Sequence, residues 1–149
     1  MNWSYIAGFF DGEGSLTHNG RGFRITIPNT NEDVINAIHI FAGIGNVIKL
    51  RKREIHWKDS WLYYIACKRD VYVFLKKTAP YLIVKKKHAL QVIPYLKNEL
   101  IKMEEKKNVY KKRKIEAKKL RLHGLNYREI GRKLEIDWGY ARRLVLDLV

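Results

Sequence analysis

Asn19-Gly20 stands between two short extended runs, and that dipeptide is the strongest local signal for a tight β-hairpin. The arms cover residues 14–19 and 22–29. In the second arm Phe23, Ile25 and Ile27 alternate with Arg24 and Thr26, which predicts one apolar and one polar face. Pro28 weakens the end of that strand, and Asn29-Thr30-Asn31 caps a helix carrying Val34, Ile35, Ile38 and Phe41 at helical spacing. Gly43 and Gly45 end it. A second hairpin follows, with strands near 46–54 and 60–68, then a short helix over 69–78 stopped by Pro80. A helix over 3–12, capped by Asn2 or Ser4 and ended by Gly12 and Gly14, precedes the first hairpin. A longer helix over 84–107 follows the second, with Pro94 as a kink or break. The order α-β-β-α-β-β-α predicts an α+β domain built on an antiparallel sheet.

Charge narrows the partners. The 149 residues carry 30 Lys+Arg against 15 Asp+Glu, a formal charge of +15, and most of the excess falls after residue 84. Such a balance points to a polyanion, nucleic acid before membrane. A single cysteine, Cys67, excludes an intramolecular disulfide and a cysteine-cluster zinc site. The start lacks a basic region, and its apolar run meets Asp11 and Glu13, so it reads as neither signal peptide nor membrane span. The expectation is an intracellular protein of the cytoplasm or nucleoid.

The stretch Ile6-Ala7-Gly8-Phe9-Phe10-Asp11-Gly12-Glu13-Gly14 carries the chemistry. Ala7, Gly8 and Gly12 are small residues on a short apolar helix, a surface that permits close helix–helix approach. Asp11 and Glu13 stand where that helix ends. Hard cations bind through one or two carboxylates plus phosphate oxygens, so the arrangement suits a phosphodiester site. The alternative on chemistry alone is a helix end decorated with solvated acids. The five histidines show no metal-ligand spacing, and Trp57, Trp61, Tyr63 and Tyr64 read by default as packing residues.

These nine residues resemble the LAGLIDADG motif of homing endonucleases, with Glu at the second acidic position, and the element order over residues 1–105 is similar to that family's fold. The resemblance implies a metal-dependent, site-specific double-strand DNA endonuclease, intron-encoded or free-standing, using Mg²⁺ or Mn²⁺. It implies Glu13 as catalytic metal ligand, the Gly12 carbonyl beside it, Asn29 as a polar residue orienting water or metal, and Lys85 as the active-site lysine, with Lys86 and Lys87 close rivals. Asp11 is expected to act structurally. Only one motif is present, so cutting two strands requires a homodimer and a near-palindromic target. The dimer contact is expected at Tyr5, Ala7, Gly8, Phe9 and Gly12.

A basic strand face is the right shape for the major groove, and Arg24, Thr26, Lys49, Arg51 and Arg53 are the expected readers. Residues 106–114 read as a basic linker. Residues 115–149 read as a small helix-turn-helix, with Asn126 and Glu129 as a capping box and Asp137 capping a last helix through Leu148. The stretch Gly124–Ile136 resembles resolvase-type modules. On that reading Trp138, Tyr140, Arg142 and Arg143 are the DNA contacts. The alternatives are a non-cleaving LAGLIDADG/helix-turn-helix regulator of the WhiA type and an intron maturase.

Overall fold

The computed structural model describes residues 1–52 and 54–146. The chain divides into two compact units, Met1–Leu100 and Ile101–Val149.

The first unit contains helix α1 (Trp3–Glu13), strands β1 (Ser15–His18) and β2 (Phe23–Asn29), and helix α2 (Glu32–Ala42). Strands β3 (Asn46–Lys49) and β4 (Trp61–Ile65), helix α3 (Lys68–Thr78) and the first part of α4 (Lys86–Leu122) complete it. The strands form one antiparallel sheet in the order β1-β2-β4-β3. Asn2 caps α1 by accepting from the Tyr5 N–H at 2.9 Å, and Asn31 caps α2 through the Val34 N–H. The helices cover one sheet face. Ile6, Ala7 and Phe10 of α1, Ile25 and Ile27 of β2, Ile35 and Ile38 of α2, Tyr63 and Ile65 of β4, and Phe74 of α3 are fully buried together. Burial, then the Asp70 charge, pushes the Tyr63 phenol up, and its hydroxyl donates to the Ile44 carbonyl at 2.8 Å.

Two expectations about α4 are corrected. It begins at Lys86 and runs on to Leu122, so neither a break at Pro94 nor a linker at 106–114 divides it. Pro94 lacks the N–H that would bond the Leu90 carbonyl, but both residues are exposed, and water can satisfy that group. Ala89, Val92 and Leu96 are buried on the opposite side and hold the helix through the proline. The 106–114 segment is the middle of α4 rather than a linker, and its Lys and Arg residues are good helix formers.

The second unit joins the C-terminal part of α4 to α5 (Tyr127–Leu134) and α6 (Trp138–Leu146). Asn126 and Glu129 form the capping box that opens α5. Glu135 adopts a left-handed conformation, φ 53°, and turns the chain into α6. A small core of Ala117, Ile130, Ala141 and Leu144 closes the three helices. The expected extension of α6 to Leu148 lies outside the described residues.

Candidate functional site

Helix α1 has two faces. One sinks Ile6, Ala7 and Phe10 into the core; the other presents Tyr5, Gly8 and Gly12, with Phe9 half-buried and stacked on Tyr5 at 6.1 Å between ring centroids. Ala7 therefore cannot serve an intermolecular contact, because the chain's own core encloses it. Gly8 and Gly12 are open: a Cβ built on either meets nothing within 4 Å. Ser4, Tyr5, Gly8, Phe9, Gly12 and Glu13 line a shallow depression along this face.

The helix ends where its backbone must turn into β1. Gly14 is required there, since a Cβ would overlap the Phe10 ring and stand 2.8 Å from the Phe10 carbonyl. Glu13, just before it, is exposed, and among the described residues no group donates to its carboxylate. Asp11, two residues earlier, does something else. Its carboxylate accepts the backbone N–H groups of Ile83 at 2.6 Å, Val84 at 3.2 Å and Lys85 at 2.9 Å, and so fixes the entry to α4. Partial burial works to raise the Asp11 carboxyl. The N–H groups of Ile83, Lys85 and Val84, with the Lys85 charge, outweigh it and hold the group below its ordinary value.

Lys85 is half-buried while Lys86 and Lys87 point into solvent. Its Nζ donates to the Asp11 carbonyl at 2.6 Å and lies 5.5 Å from the centre of the Phe10 ring. A cation at this position offsets the negative end of the α1 dipole. Asn29 is half-buried at the end of β2, and its side-chain oxygen accepts from the Asn31 N–H at 2.8 Å. Because Ser15 pairs with Thr26, the antiparallel register brings Glu13 and Asn29 to the same end of the sheet. Thus the Lys85–Asp11 bond sets Lys85 at the end of α1 that carries Gly12 and Glu13, and the register sets Asn29 at the matching end of the sheet. Among the described residues no three His, Cys, Asp or Glu side chains cluster as a ready-made metal cage. The donors present are hard oxygens from one carboxylate and adjacent backbone. That set suits a magnesium-like ion only if phosphate oxygens or water complete it.

The sheet register sorts the expected readers. Arg24 and Thr26 lie on the face away from the helices, opposite Thr17 and Ser15 of β1, and Ser15 and Thr26 share a 2.7 Å hydrogen bond. Tyr64 pairs with Thr26 and Asn46 with Tyr64, so both join this polar face. Sequence reasoning set Tyr64 aside as packing; the cross-strand register, which no local pattern encodes, moves it here. Lys49 is corrected. It pairs with Trp61 on the opposite face, its Nζ 5.3 Å from the indole and 3.0 Å from Asp59, which also binds Lys52. Arg51 is exposed beyond the end of β3, and Arg53 lies outside the described residues.

In the second unit Trp138 and Arg142, one turn apart on α6, are exposed together. Arg143 is exposed and sits 5.7 Å from the Tyr140 ring, whereas Tyr140 is half-buried against the small core. Gly131 permits the tight α5–α6 approach, with a Cβ there only 2.8 Å from the Ile136 carbonyl.

The profile of the LAGLIDADG-like domain matches residues 2–79, more than half of the chain. The chain belongs to this LAGLIDADG-like family. Among solved structures, the homing endonuclease I-CvuI in complex with its target is 21% identical, with a TM-score of 0.52 over 64% of this chain and 65% of its own. The LAGLIDADG meganuclease I-CpaMI bound to uncleaved DNA is 21% identical, with a TM-score of 0.51 over 79% of this chain and 45% of its own. Full-length WhiA from Thermatoga maritima is 20% identical, with a TM-score of 0.42 over 96% of this chain and 60% of its own. The matched parts thus span less than two thirds of these solved chains. No curated protein matches. The expected αββαββα order and antiparallel sheet are the first seven elements of the first unit, to which the start of α4 is added. Among the described residues no helix is long and apolar enough to cross a membrane.

Proposed function

We propose that this LAGLIDADG chain is a site-specific double-strand DNA endonuclease that works as a homodimer. The observation that carries this reading is the free Glu13 carboxylate at the end of a helix whose glycine face stands open. One chain offers one such carboxylate; two copies joined along Tyr5, Gly8, Phe9 and Gly12 offer two, related by the two-fold axis that a near-palindromic site requires. Close approach of the α1 helices at Gly8 and Gly12 would draw the two Glu13 side chains together over the two scissile phosphates.

Glu13 and the Gly12 carbonyl would hold Mg²⁺ or Mn²⁺, which when bound stabilises charge on the phosphate and lowers the pKa of water. Lys85 holds a positive charge at the end of α1, where the phosphate would lie. Asn29, fixed by its bond to the Asn31 N–H, offers an amide that can orient water. Arg24, Thr26 and Tyr64 form the sheet face that reads the major groove, and Trp138, Arg142 and Arg143 of α6 add an outer contact.

A non-cleaving regulator is the second reading, favoured by the compact helix pair appended to a site with only one free carboxylate. Incubating the protein with a random duplex library in Mg²⁺, and again in Mn²⁺, tests the proposal. Enrichment of cut, near-palindromic sequences is expected. Selective binding with no cutting in either metal would hand the function to the regulator reading.

A further inference from the structure

The α4 helix carries a feature that neither the Glu13 site nor the exposed face of α6 uses. Residues 101–122 hold ten Lys and Arg against three Glu. Positions 102, 106, 109, 113 and 117 recur at four- and three-residue steps and share one stripe of the helix. At Ala117 that stripe is fully buried beneath α5 and α6. N-terminal to it the stripe opens into a cleft of about 390 Å³ whose cations are Lys102, Lys106 and Arg113, with Glu105 the one acid. Its floor is Val109, Tyr110 and Tyr140, and Arg143 lies against the Tyr140 ring. Every one of these residues belongs to the second unit.

We propose that this cleft is a binding site for the phosphate backbone of duplex DNA, flanking the strand that α6 engages. The proposal rests on the reading that the chain binds double-stranded DNA, and it assigns part of that contact to α4. Three considerations favour it. Cations lining a concave surface with an apolar floor focus the field more strongly than the same charges on a convex face. The row from Lys102 to Arg113 spans about 16 Å at 1.5 Å per residue, room for several phosphates of one strand, which recur about every 3.4 Å along the duplex axis. The cleft also ends at Tyr140 of α6, over whose ring Arg143 lies, while Trp138 and Arg142 face elsewhere on the same helix. A duplex held by α6 would thus present its flanking backbone to α4.

The test compares two charge-matched variants of the full chain on random-sequence duplex DNA across a salt series. One is K102Q/K106Q/R113Q in the cleft; the other is K107Q/K111Q/K112Q, at exposed positions outside it. Each lost phosphate contact lowers the logarithmic salt slope by about 0.9. The cleft variant should therefore lose roughly two to three units per subunit, and the control under one, with equal helicity by circular dichroism. Equal losses in the two variants would reduce the cleft to general charge and overturn the proposal, as would an unchanged slope in the cleft variant. A loss confined to single-stranded DNA would overturn the assignment to duplex. Failure of the wild-type chain to bind any duplex would instead sink the underlying DNA-binding reading.

Discussion

Asp11 and Lys85 are tied to each other in both directions although 74 positions separate them. The Asp11 carboxylate accepts the Lys85 backbone N–H at 2.9 Å, and the Lys85 ammonium returns to the Asp11 carbonyl at 2.6 Å. The carboxylate end of the pair sets where α4 begins; the ammonium end sets a positive charge at the C-terminal end of α1. The acidic positions of the motif thus divide their work. The Asp11 carboxylate joins the end of α1 to the start of α4, and among the described residues no group donates to the Glu13 carboxylate.

Replacing Asp11 with Asn removes the charge and leaves one acceptor oxygen for three N–H donors. The expected loss is about 1 kcal/mol, in the range of a lost helix cap. Because the folded carboxyl titrates below its ordinary 3.8, its contribution is present above that pH and fades as pH falls further. Urea unfolding of both proteins at pH 7 and pH 3 checks this. The gap between them should narrow at pH 3, and a constant gap would show that charge is irrelevant to the clasp.

Gly8→Leu should separate assembly from folding. Nothing stands within 4 Å of a Cβ at Gly8, so the monomer accepts the side chain, and helix propensity improves by about 0.8–1 kcal/mol. A second α1 packed on the same face would be pushed away. Sedimentation should find a folded monomer where the wild type is a dimer, with cleavage lost. A dimer unaltered by the leucine would place the interface elsewhere.

How far the sequence could be read varies with the distance over which each feature is determined. The Asn126–Glu129 capping box, the Asn19-Gly20 hairpin and the Asn2 and Asn31 caps are local, and each is legible because three or four adjacent residues decide it. Alternation along β2 likewise separates Ile25 and Ile27 from Arg24 and Thr26 without reference to any other strand. Lys49 fails that reading because its face is set by pairing with Trp61 across the β3–β4 hairpin. Ala7 fails because a short helix of small and apolar residues does not announce which side the sheet will cover. Pro94 does not end α4, because its cost depends on whether the Leu90 carbonyl can reach water, which is a matter of tertiary exposure.

Glu13→Gln preserves shape while removing the negative charge. With no partner among the described residues to lose, the variant should fold as the wild type does and bind DNA within about tenfold, roughly 1.4 kcal/mol. Cleavage in Mg²⁺ should disappear. Parallel gel-shift and cleavage assays on one duplex separate the effects, and a variant that still cuts would falsify the role assigned to Glu13.

Gly131→Val should disable the second unit while sparing the first. A Cβ at Gly131 stands 2.8 Å from the Ile136 carbonyl and 3.3 Å from the Trp138 backbone, so the turn between α5 and α6 must open. Overpacking of this kind costs about 1–3 kcal/mol, a large share for a core whose fully buried apolar side chains, among the described residues, are Ala117, Ile130, Ala141 and Leu144. Calorimetry should then record a lower transition for the helix pair and an unchanged one for the sheet unit. Footprints should contract at their outer ends, with the central cleavage positions fixed. Arg142→Ala is the complementary change, since an exposed side chain can be removed without disturbing the turn. It should keep both transitions and lose about 1–3 kcal/mol of discrimination at one base pair in each half-site. Footprints identical to wild type in both variants would mean that α5 and α6 do not touch DNA.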